Sequence, residues 1–366
     1  MLVLVGTTLA AAPPRGAGAA PTAAQVGAQC VRPDPDPPED PPPVPAPTPR
    51  PARADDPVRT APSTALSTAP SDPHAGLRGA VGRWFGATAR DLPWRAADRT
   101  AWGVLVSEVM LQQTPVVRVE PAWRAWMERW PEPADLAAAP TADVLRAWGR
   151  LGYPRRALRL QECARAIVER HDGEVPRGEE ALRALPGVGE YTAAAVTAFA
   201  HGRRAVVVDT NVRRVLARAV GGVALPAPSY TAAERATAAA VAPPDDDDAV
   251  LWAAASMELG ALVCTAHAPR CGVCPVRDAC AWRLAGRPGD EHAARRRTQA
   301  WVGTDRQARG RVMAALRDAP GPVPRGVVAE VWHDAAQLDR CVASLVEDGL
   351  VEQEDGPGGV LYRLPV

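Results

Sequence analysis

Two carboxyl groups, Glu108 and Asp209, stand in surroundings that could favour opposite protonation states. Glu108 lies in the apolar segment 104–114, where it shares a helix face with Gln112 at i,i+4 spacing. Its valine and methionine neighbours would raise its pKa and keep a proton on it, although a surface glutamate on an amphipathic helix fits the same pattern. Asp209 stands between a buried run and the start of a helix, and the amides at that helix start would hold its carboxylate ionised. The simpler interpretation of Asp209 is a helix cap, and the two roles are compatible. Together, an acid and an anion of this kind could cleave a glycosidic bond.

Four cysteines form a compact cluster. Cys264, Cys271, Cys274 and Cys280 follow the pattern C-x6-C-x2-C-x5-C, and the other three of the seven cysteines are scattered. Four thiolates this close can surround either zinc or an iron–sulfur cluster, and spacing alone does not separate the two. Paired disulfides are the alternative, but an odd total with one tight cluster favours a metal site in a reducing compartment.

A third motif, Leu185-Pro-Gly-Val-Gly189, lies between two helical segments. Gly187 and Gly189 permit a tight turn that presents backbone N–H groups near the next helix start, where an anion could bind. An ordinary connection between two helices has the same composition. With the cysteine cluster downstream, we interpret the motif as a helix-hairpin-helix element that grips phosphates without reading sequence.

The segments that must position these residues are mostly helical. Apolar residues recur at helical spacing in five segments, namely residues 104–111, 144–148, 157–170, 192–200 and 212–219. The one β-like run in this region, residues 205–208, could simply be a buried lead-in to the next helix. We therefore expect a mainly α domain over residues 77–287.

The flanking regions differ in composition. Residues 1–76 are dominated by proline, alanine, threonine and aspartate, and such a stretch should be a disordered tail. Residues 288–311 form an arginine-rich linker that includes Arg295, Arg296 and Arg297; it is either solvated or in contact with phosphates. Residues 312–366 combine three helical segments with two alternating runs across a Gly-Pro-Gly-Gly turn, which predicts a small winged-helix-like domain.

Composition limits the possible chemistry. The 366-residue chain has a formal net charge of zero, so any nucleic-acid surface must be local. All 42 basic residues are arginine, so no lysine is available to form a Schiff base. The start is apolar but lacks the positive charge of a signal peptide, and no stretch approaches the roughly 20 apolar residues of a membrane span. We therefore expect a cytoplasmic protein.

Residues 83–285 resemble adenine DNA glycosylases of the MutY type, which belong to the helix-hairpin-helix base-excision repair superfamily. The matching motifs are Leu92-Pro-Trp-Arg95, Ser107-Glu-Val-Met-Leu-Gln-Gln-Thr114, Gly149 with Leu151-Gly-Tyr153, Leu185-Pro-Gly-Val-Gly-Glu-Tyr191, Asp209-Thr-Asn211 and the cysteine set. In that family this cysteine spacing binds a [4Fe-4S] cluster, which here would tie down a loop that carries Arg270 and Arg277 toward phosphates.

The resemblance also implies roles for single residues. Glu108 would protonate N7 of a flipped adenine, and Asp209 would stabilise the oxocarbenium ion, either by its charge or through a transient covalent adduct. Tyr191 and Asn211 would orient Asp209 and the water. The resemblance also implies a set of DNA-contacting residues, at the adenine pocket, the opposing strand, the wedge into the duplex or the phosphates. They are Arg90, Leu92, Trp94, Arg95, Gln113, Thr114, Leu151, Tyr153, Gly187 and Gly189. The implied partner is double-stranded DNA with adenine opposite 8-oxoguanine or guanine, bound by a monomer at the nucleoid.

The sequence departs from its relatives at three places. Tyr191 stands where the endonuclease III family has a lysine nucleophile, which implies base removal without lysine-dependent strand cleavage. Residues 312–366 are too short for the Nudix-like domain that reads 8-oxoguanine, and Ala254 stands where some members have a Glu or Gln that touches adenine. Two alternatives stay open: a glycosylase of the same fold for mismatched thymine or an oxidised pyrimidine, and a DNA- or metal-binding regulator without catalysis.

Overall fold

Fifteen α-helices and three short strands make up the described parts of the chain, residues 72–295 and 301–366 of a computed structural model. The helices are α1 (Ala75–Thr88), α2 (Ala101–Leu111), α3 (Val116–Arg129), α4 (Pro133–Ala138), α5 (Thr141–Trp148), α6 (Arg155–Arg170), α7 (Glu179–Arg183), α8 (Glu190–Phe199), α9 (Thr210–Ala219), α10 (Ala232–Val241), α11 (Asp246–Leu262), α12 (Ala281–Leu284), α13 (Asp305–Asp318), α14 (Arg325–Ala329) and α15 (Ala335–Glu347). The strands are β1 (Val323–Pro324), β2 (Glu352–Gly356) and β3 (Gly359–Arg363). The mainly α expectation is confirmed. Within the described ranges, no helix is both long and apolar enough to cross a membrane.

Side-chain caps set where several helices begin. Thr100 accepts a hydrogen bond from the amide of Gly103 at the start of α2, and Thr231 with Glu234 forms a reciprocal capping box at α10. Asp245 caps α11, whose first turn carries three further aspartates that match the positive end of the helix dipole. These local signals place the helix starts near the functional motifs.

Helix α2 is the centre of the helical domain. Every residue from Trp102 to Met110 is buried, and α3, α6 and α8 pack around the helix. An all-round buried helix is typical of the middle of a helical core. Farther out in the same apolar cluster, Trp126 packs edge-to-face on Trp130 and Trp148, with ring centroids 4.9 and 5.5 Å apart.

A second apolar cluster joins α1, α9, α10 and α11. It includes Val81, Val215, Trp252 and Leu259. The segment 205–208 that leads into α9 has no regular secondary structure, and Ala205 and Val207 are buried, which confirms the lead-in interpretation. The functional motifs lie where the two clusters meet, with α2 and α8 from the first and α9 and α11 from the second.

The C-terminal elements run in the order α13, β1, α14, α15, β2, β3. The three strands form an antiparallel sheet in the order β1-β3-β2, with Val323 opposite Tyr362 and Glu354 opposite Leu361. The predicted hairpin is therefore present. Residues of α13, among them Val312 and Met313, belong to the same apolar cluster as the helical domain, so this unit shares a core with that domain.

The segment predicted as a linker contains more structure than its composition indicated. A 3₁₀ turn occupies Ala293–Arg295, and α13 begins at Asp305 because Thr304 accepts a hydrogen bond from the amide of Gln307. Arg295 is exposed, whereas Arg296 and Arg297 lie outside the described residues. Of the predicted N-terminal tail, residues 1–71 also lie outside them, and residues 75 and 76 belong to α1.

Candidate active site

Glu108 is buried inside α2, with 5% of its surface exposed. Its Oε2 accepts a hydrogen bond of 2.8 Å from the hydroxyl of Tyr191. Burial is the largest influence and raises the pKa of Glu108 to about 7; the Tyr191 bond lowers it, the charge of Asp209 raises it, and Arg95 lowers it. The carboxyl group therefore holds its proton up to about neutral pH, and the alternative of a surface glutamate is excluded.

Tyr191, near the start of α8, is held as a neutral hydrogen-bond donor. Burial raises its pKa well above the ordinary value, and the charges of Glu108 and Asp209 raise it further. The hydroxyl therefore keeps its proton at neutral pH and fixes the orientation of the Glu108 carboxyl group, whereas the role expected from the sequence was to orient Asp209.

Asp209 caps α9 through Oδ1 and accepts a side-chain hydrogen bond through Oδ2. Oδ1 accepts from the amide of Val212 and Oδ2 from the side-chain amide of Asn211, each at 2.7 Å. Burial nevertheless raises the pKa of Asp209 overall, although the bonds from Val212 and Asn211 and the charge of Arg214 lower it. The cap predicted from sequence is confirmed, but the expected lowering of the pKa is wrong in direction, because desolvation of the charged form outweighs the helix amides.

A chain of hydrogen bonds connects Asp209 with the cysteine segment. Nη2 of Arg214 donates to Oδ1 of Asn211 at 2.7 Å, and Nε of Arg214 donates to the carbonyl of Cys264 at 2.6 Å. Helices α9 and α11 can approach this closely because residue 260 is glycine: a Cβ there would lie 2.6 Å from the Cβ of Asn211. Gly260 and Arg214 therefore position Asn211, and through it Asp209.

A further buried carboxylate, Glu258 on α11, binds two of the arginines predicted for the site. Nε and Nη2 of Arg90 donate to it at 2.7 and 2.8 Å, and Nη2 of Arg95 donates at 3.1 Å. Burial alone would raise the pKa of Glu258, but the bonds and charges of Arg90 and Arg95 lower it overall. Nη1 of Arg95 is buried without a hydrogen-bond partner among the described residues, so its donor capacity is not used in this structure.

Leu92 and Trp94 are buried, with 5% and 6% of their surfaces exposed. Trp94 packs edge-to-face on Trp123 with ring centroids 5.7 Å apart. Leu92 is the N-cap of the 3₁₀ turn Pro93–Arg95 and Trp94 lies within it, so both anchor the turn that carries Arg95, whose charge acts on Glu108.

The two residues predicted to wedge into the duplex both have left-handed backbone conformations. Gln113 has a φ of 55° and Tyr153 a φ of 45°, and both side chains are exposed. Non-glycine residues rarely adopt such angles, and contacts around them must hold the backbone in place.

Arg156 supplies those contacts for both wedge loops. Its guanidinium donates, at 2.6 to 3.1 Å, to the carbonyls of Val109, Met110, Gln112, Leu151 and Gly152 and to the hydroxyl of Thr114. Thr114 in turn donates to the carbonyl of Leu151 at 3.0 Å. The side chain of Leu151 is buried, so its backbone is the part that joins the two loops. One cation thus connects the loop of Gln113 with the loop of Tyr153.

The hairpin lies between α7 and α8. Gly187 has a φ of 78°, and a Cβ there would lie 2.9 Å from the Cβ of Arg159, so only glycine fits. Gly189 is the N-cap of α8, so the first amides of that helix follow directly. Arg155 and Arg159 line a cavity of about 280 Å³ beside the hairpin, where Arg155 pairs with Asp348 and Arg159 with Glu162.

The four clustered cysteines have free thiols and line one small cavity at the end of α11. In residues 72–295 and 301–366, no three or more Cys, His, Asp or Glu side chains are grouped so that they could hold a metal ion. Arg218 is almost fully buried beside the cavity, with Nη1 3.4 Å from Sγ of Cys264 and its guanidinium 4.7 Å from the ring centroid of Trp282. A buried cation requires compensating negative charge, and four thiolates around an iron–sulfur cluster would supply it. The four thiols around this cavity are the type of donor that a [4Fe-4S] group takes, although they are not grouped as ligands in this structure.

Comparison with known proteins agrees with this geometry. Residues 106–241 match the family described as HhH-GPD superfamily base excision DNA repair protein. The chain is 55% identical over 271 residues to the adenine DNA glycosylase of Mycolicibacterium smegmatis, an alignment that covers 74% of this chain and 90% of the relative. It is 52% identical over 269 residues to the adenine DNA glycosylase of Mycobacterium tuberculosis, with 73% and 88% covered. The chain belongs to the adenine DNA glycosylase family.

Solved structures show how widely the fold of this family is shared. A thermostable thymine-DNA glycosylase has a TM-score of 0.51 and 27% identity over 57% of this chain and 95% of its own. Endonuclease III in a non-covalent complex with DNA has a TM-score of 0.50 and 24% identity over 58% of this chain and 96% of its own. The helix-hairpin-helix fold class is thereby confirmed. As a member of the adenine DNA glycosylase family, the protein is a DNA N-glycosylase of base-excision repair.

The sequence analysis did not predict four residues that organise this glycosylase site: Arg156, Arg214, Glu258 and Gly260. Each acts on a partner in a different helix or loop. The nearest available signal was the segment Met257-Glu-Leu-Gly260, where a carboxylate and a glycine interrupt a helix of alanines directly before Cys264.

Proposed function

We propose that the protein hydrolyses the N-glycosidic bond of adenine mispaired with 8-oxoguanine or guanine in double-stranded DNA, acting as a monomer at the nucleoid in the cytoplasm. The observation that carries this proposal is the pair of buried carboxyl groups, with Glu108 near a pKa of 7 and within electrostatic reach of Asp209. A protonated acid beside a second carboxylate is the arrangement that departure of a purine from a sugar requires.

The chain's own residues account for each step of the reaction. Adenine flips out of the stack, and Glu108 donates its proton to N7, so the bond between C1′ and N9 breaks with its electrons moving into the base. Asp209 stabilises the positive charge that develops on the sugar, and that charge in turn favours the ionised form of Asp209 despite its burial. Water then adds to C1′ and loses a proton, which restores the acid form of Glu108, so the products are free adenine and an abasic site.

Neighbouring residues would hold this geometry. Tyr191 orients Glu108 and Asn211 orients Asp209, through the hydrogen bonds of 2.8 and 2.7 Å. Arg90, Leu92, Trp94 and Arg95 would form the wall of the adenine pocket. Because the chain contains no lysine, the reaction stops at base removal without lysine-dependent strand cleavage.

The DNA surface would combine the wedge with the hairpin. Gln113 and Tyr153 would enter the duplex beside the mispair, with Thr114 and the Leu151 backbone behind them. Gly187 and Gly189 would let the hairpin amides meet a phosphate of the bound strand.

Cys264, Cys271, Cys274 and Cys280 would hold the [4Fe-4S] cluster, whose role is structural because base hydrolysis involves no electron transfer. The cluster would connect the cysteine loop with α9 through Arg214 and Arg218. A brown purified protein with broad visible absorbance and stoichiometric iron and sulfide would support this, and a colourless zinc protein would refute it.

In our domain proposal, residues 77–287 form the glycosylase domain, 288–311 the linker, and 312–366 a winged-helix-like unit, with residues 1–76 as a tail. The described element order supports the last unit, although its first helix already starts at Asp305.

The function is tested with three duplexes that carry A opposite 8-oxoguanine, A opposite G, and T opposite G. We expect wild-type protein to release adenine from the first two and to leave the third intact. Glu108→Gln should bind the first duplex in a mobility-shift assay but release no adenine. Release of thymine alone would favour a mismatch thymine glycosylase, and binding without any base release would favour a regulator.

A further inference from the structure

A cation–π contact joins the C-terminal unit, residues 301–366, to the loop of Tyr153, which is called the wedge loop below. The guanidinium carbon of Arg306, in the first turn of α13, lies 5.3 Å from the ring centroid of Tyr153. Arg156 of the glycosylase domain lies 5.8 Å from the same centroid. The Tyr153 side chain is 43% exposed, so its ring is held by guanidinium groups while it remains open to DNA.

An ion pair also holds Arg155, the first residue of α6, two positions after Tyr153. Oδ1 of Asp348, at the C-cap of α15, lies 3.1 Å from Nη1 of Arg155, and its Oδ2 lies 2.5 Å from Nη2 of Arg309 on α13. Beneath these contacts, Val312 belongs to the same apolar cluster as Leu151. The C-terminal unit therefore contacts the wedge loop at a ring, at a charge and through the shared core.

The charge of the C-terminal hairpin argues against an independent grip on DNA. Strand β2 reads Glu352-Gln-Glu-Asp-Gly356, and Arg363 pairs with Glu352 at 2.9 Å and with Glu354 at 3.3 Å. Three carboxylates on one short strand would repel phosphates. The hairpin is therefore a poor surface for phosphate binding.

We propose that the C-terminal unit supports the wedge, and that Arg306 is the positioning residue that holds the Tyr153 ring for insertion beside the mispair. The proposal rests on the proposed function, because it assigns a purpose to the loop that meets the substrate. A ring that is already oriented before DNA arrives loses less conformational freedom on insertion, so more of the binding energy is available to extrude the adenine.

A double-mutant cycle tests this pairing. We measure single-turnover release of adenine opposite 8-oxoguanine at enzyme concentrations below saturation. Arg306→Gln should lower the rate constant about twofold to fivefold, the range for loss of an exposed cation–π contact, while Arg306→Lys retains most of the rate. In a Tyr153→Ala background Arg306→Gln should have no further effect, because the ring through which it acts is absent. Arg325→Gln serves as the control, since Arg325 is an exposed arginine of the same unit that pairs with Asp339.

Each other outcome overturns the proposal. An equal effect of Arg306→Gln in both backgrounds would show a general folding defect or a direct phosphate contact. No effect in the wild-type background would show that the cation–π contact does not contribute to the rate of adenine release. Failure of Arg306→Lys to retain more activity than Arg306→Gln would show that charge at this position is irrelevant. If wild-type protein released no adenine at all, the proposed function would fail first, and the two failures are thereby distinguished.

Discussion

Replacement of Glu108 by glutamine should abolish adenine release and at the same time stabilise the folded protein at alkaline pH. Burial raises the pKa of Glu108 from 4.5 to about 7. A raised carboxyl pKa means that the folded state binds the proton more tightly than the unfolded state does. The contribution of Glu108 to stability is therefore fully present below pH 4.5 and is lost as the pH rises through the folded value of about 7.

The magnitude follows from the two pKa values. A difference of about 2.5 between them corresponds to about 3 kcal/mol of unfolding free energy, reached above the folded pKa. Glutamine cannot ionise, so it avoids this cost and still offers an oxygen to the hydroxyl of Tyr191. We expect Glu108→Gln to exceed wild type by about 3 kcal/mol at pH 8 and by about 1 kcal/mol at pH 5.

Urea unfolding at both pH values measures this effect. Glu120→Gln is the matched control, because Glu120 pairs with Arg124 at the surface of α3 and should leave the stability nearly unchanged. Comparison at one pH cancels the titration of every other group that the proteins share. If Glu108→Gln lost stability at pH 8, or if its advantage did not grow between pH 5 and pH 8, the carboxyl group could not be buried as the structure has it.

Four further outcomes are expected. The single-turnover rate of wild-type adenine release should fall as the pH rises through about 7, because Glu108 loses its proton; a flat profile between pH 6 and 9 would contradict its role as the acid. Gly260→Ala should lower that rate at least about tenfold by displacing Asn211, whereas Gly86→Ala, at a helical glycine of α1 whose added Cβ would meet no atom within 4 Å, should not. Arg156→Ala should cost about 3 kcal/mol in urea unfolding, because carbonyls in two loops lose their donor. Cys274→Ser should reduce iron content and visible absorbance, and unchanged values would exclude this residue as a ligand.

Local sequence was sufficient to predict several parts of the structure. The helical spacing around Glu108 predicted α2, and the glycines of the hairpin marked the turn at Gly187. Asp209 was predicted to cap α9, which the bond from Val212 confirms. Each of these features depends on residues within about one or two helical turns, so the sequence carries the whole signal.

Long-range packing was not visible in the same way. The cap at Asp209 predicted a lowered pKa, but the net direction depends on how deeply other helices bury the carboxylate. Arg156 donates hydrogen bonds to both wedge loops, but nothing in the sequence distinguishes it from the neighbouring arginines. An arginine side chain can lie at the surface or be buried among hydrogen-bond acceptors, and only the tertiary structure shows which of the two applies.

Residue types and spacing by themselves determined the chemistry available to this protein: one acid among apolar neighbours, one capping aspartate, four clustered thiols and no lysine. Tertiary structure decided how those groups behave, because desolvation and hydrogen bonding act between α2, α8, α9 and α11, which are distant along the chain. It also decided that the C-terminal helices and hairpin share a core with the wedge loop, since apolar residues on α13 and α5 bury more surface together than either helix could alone.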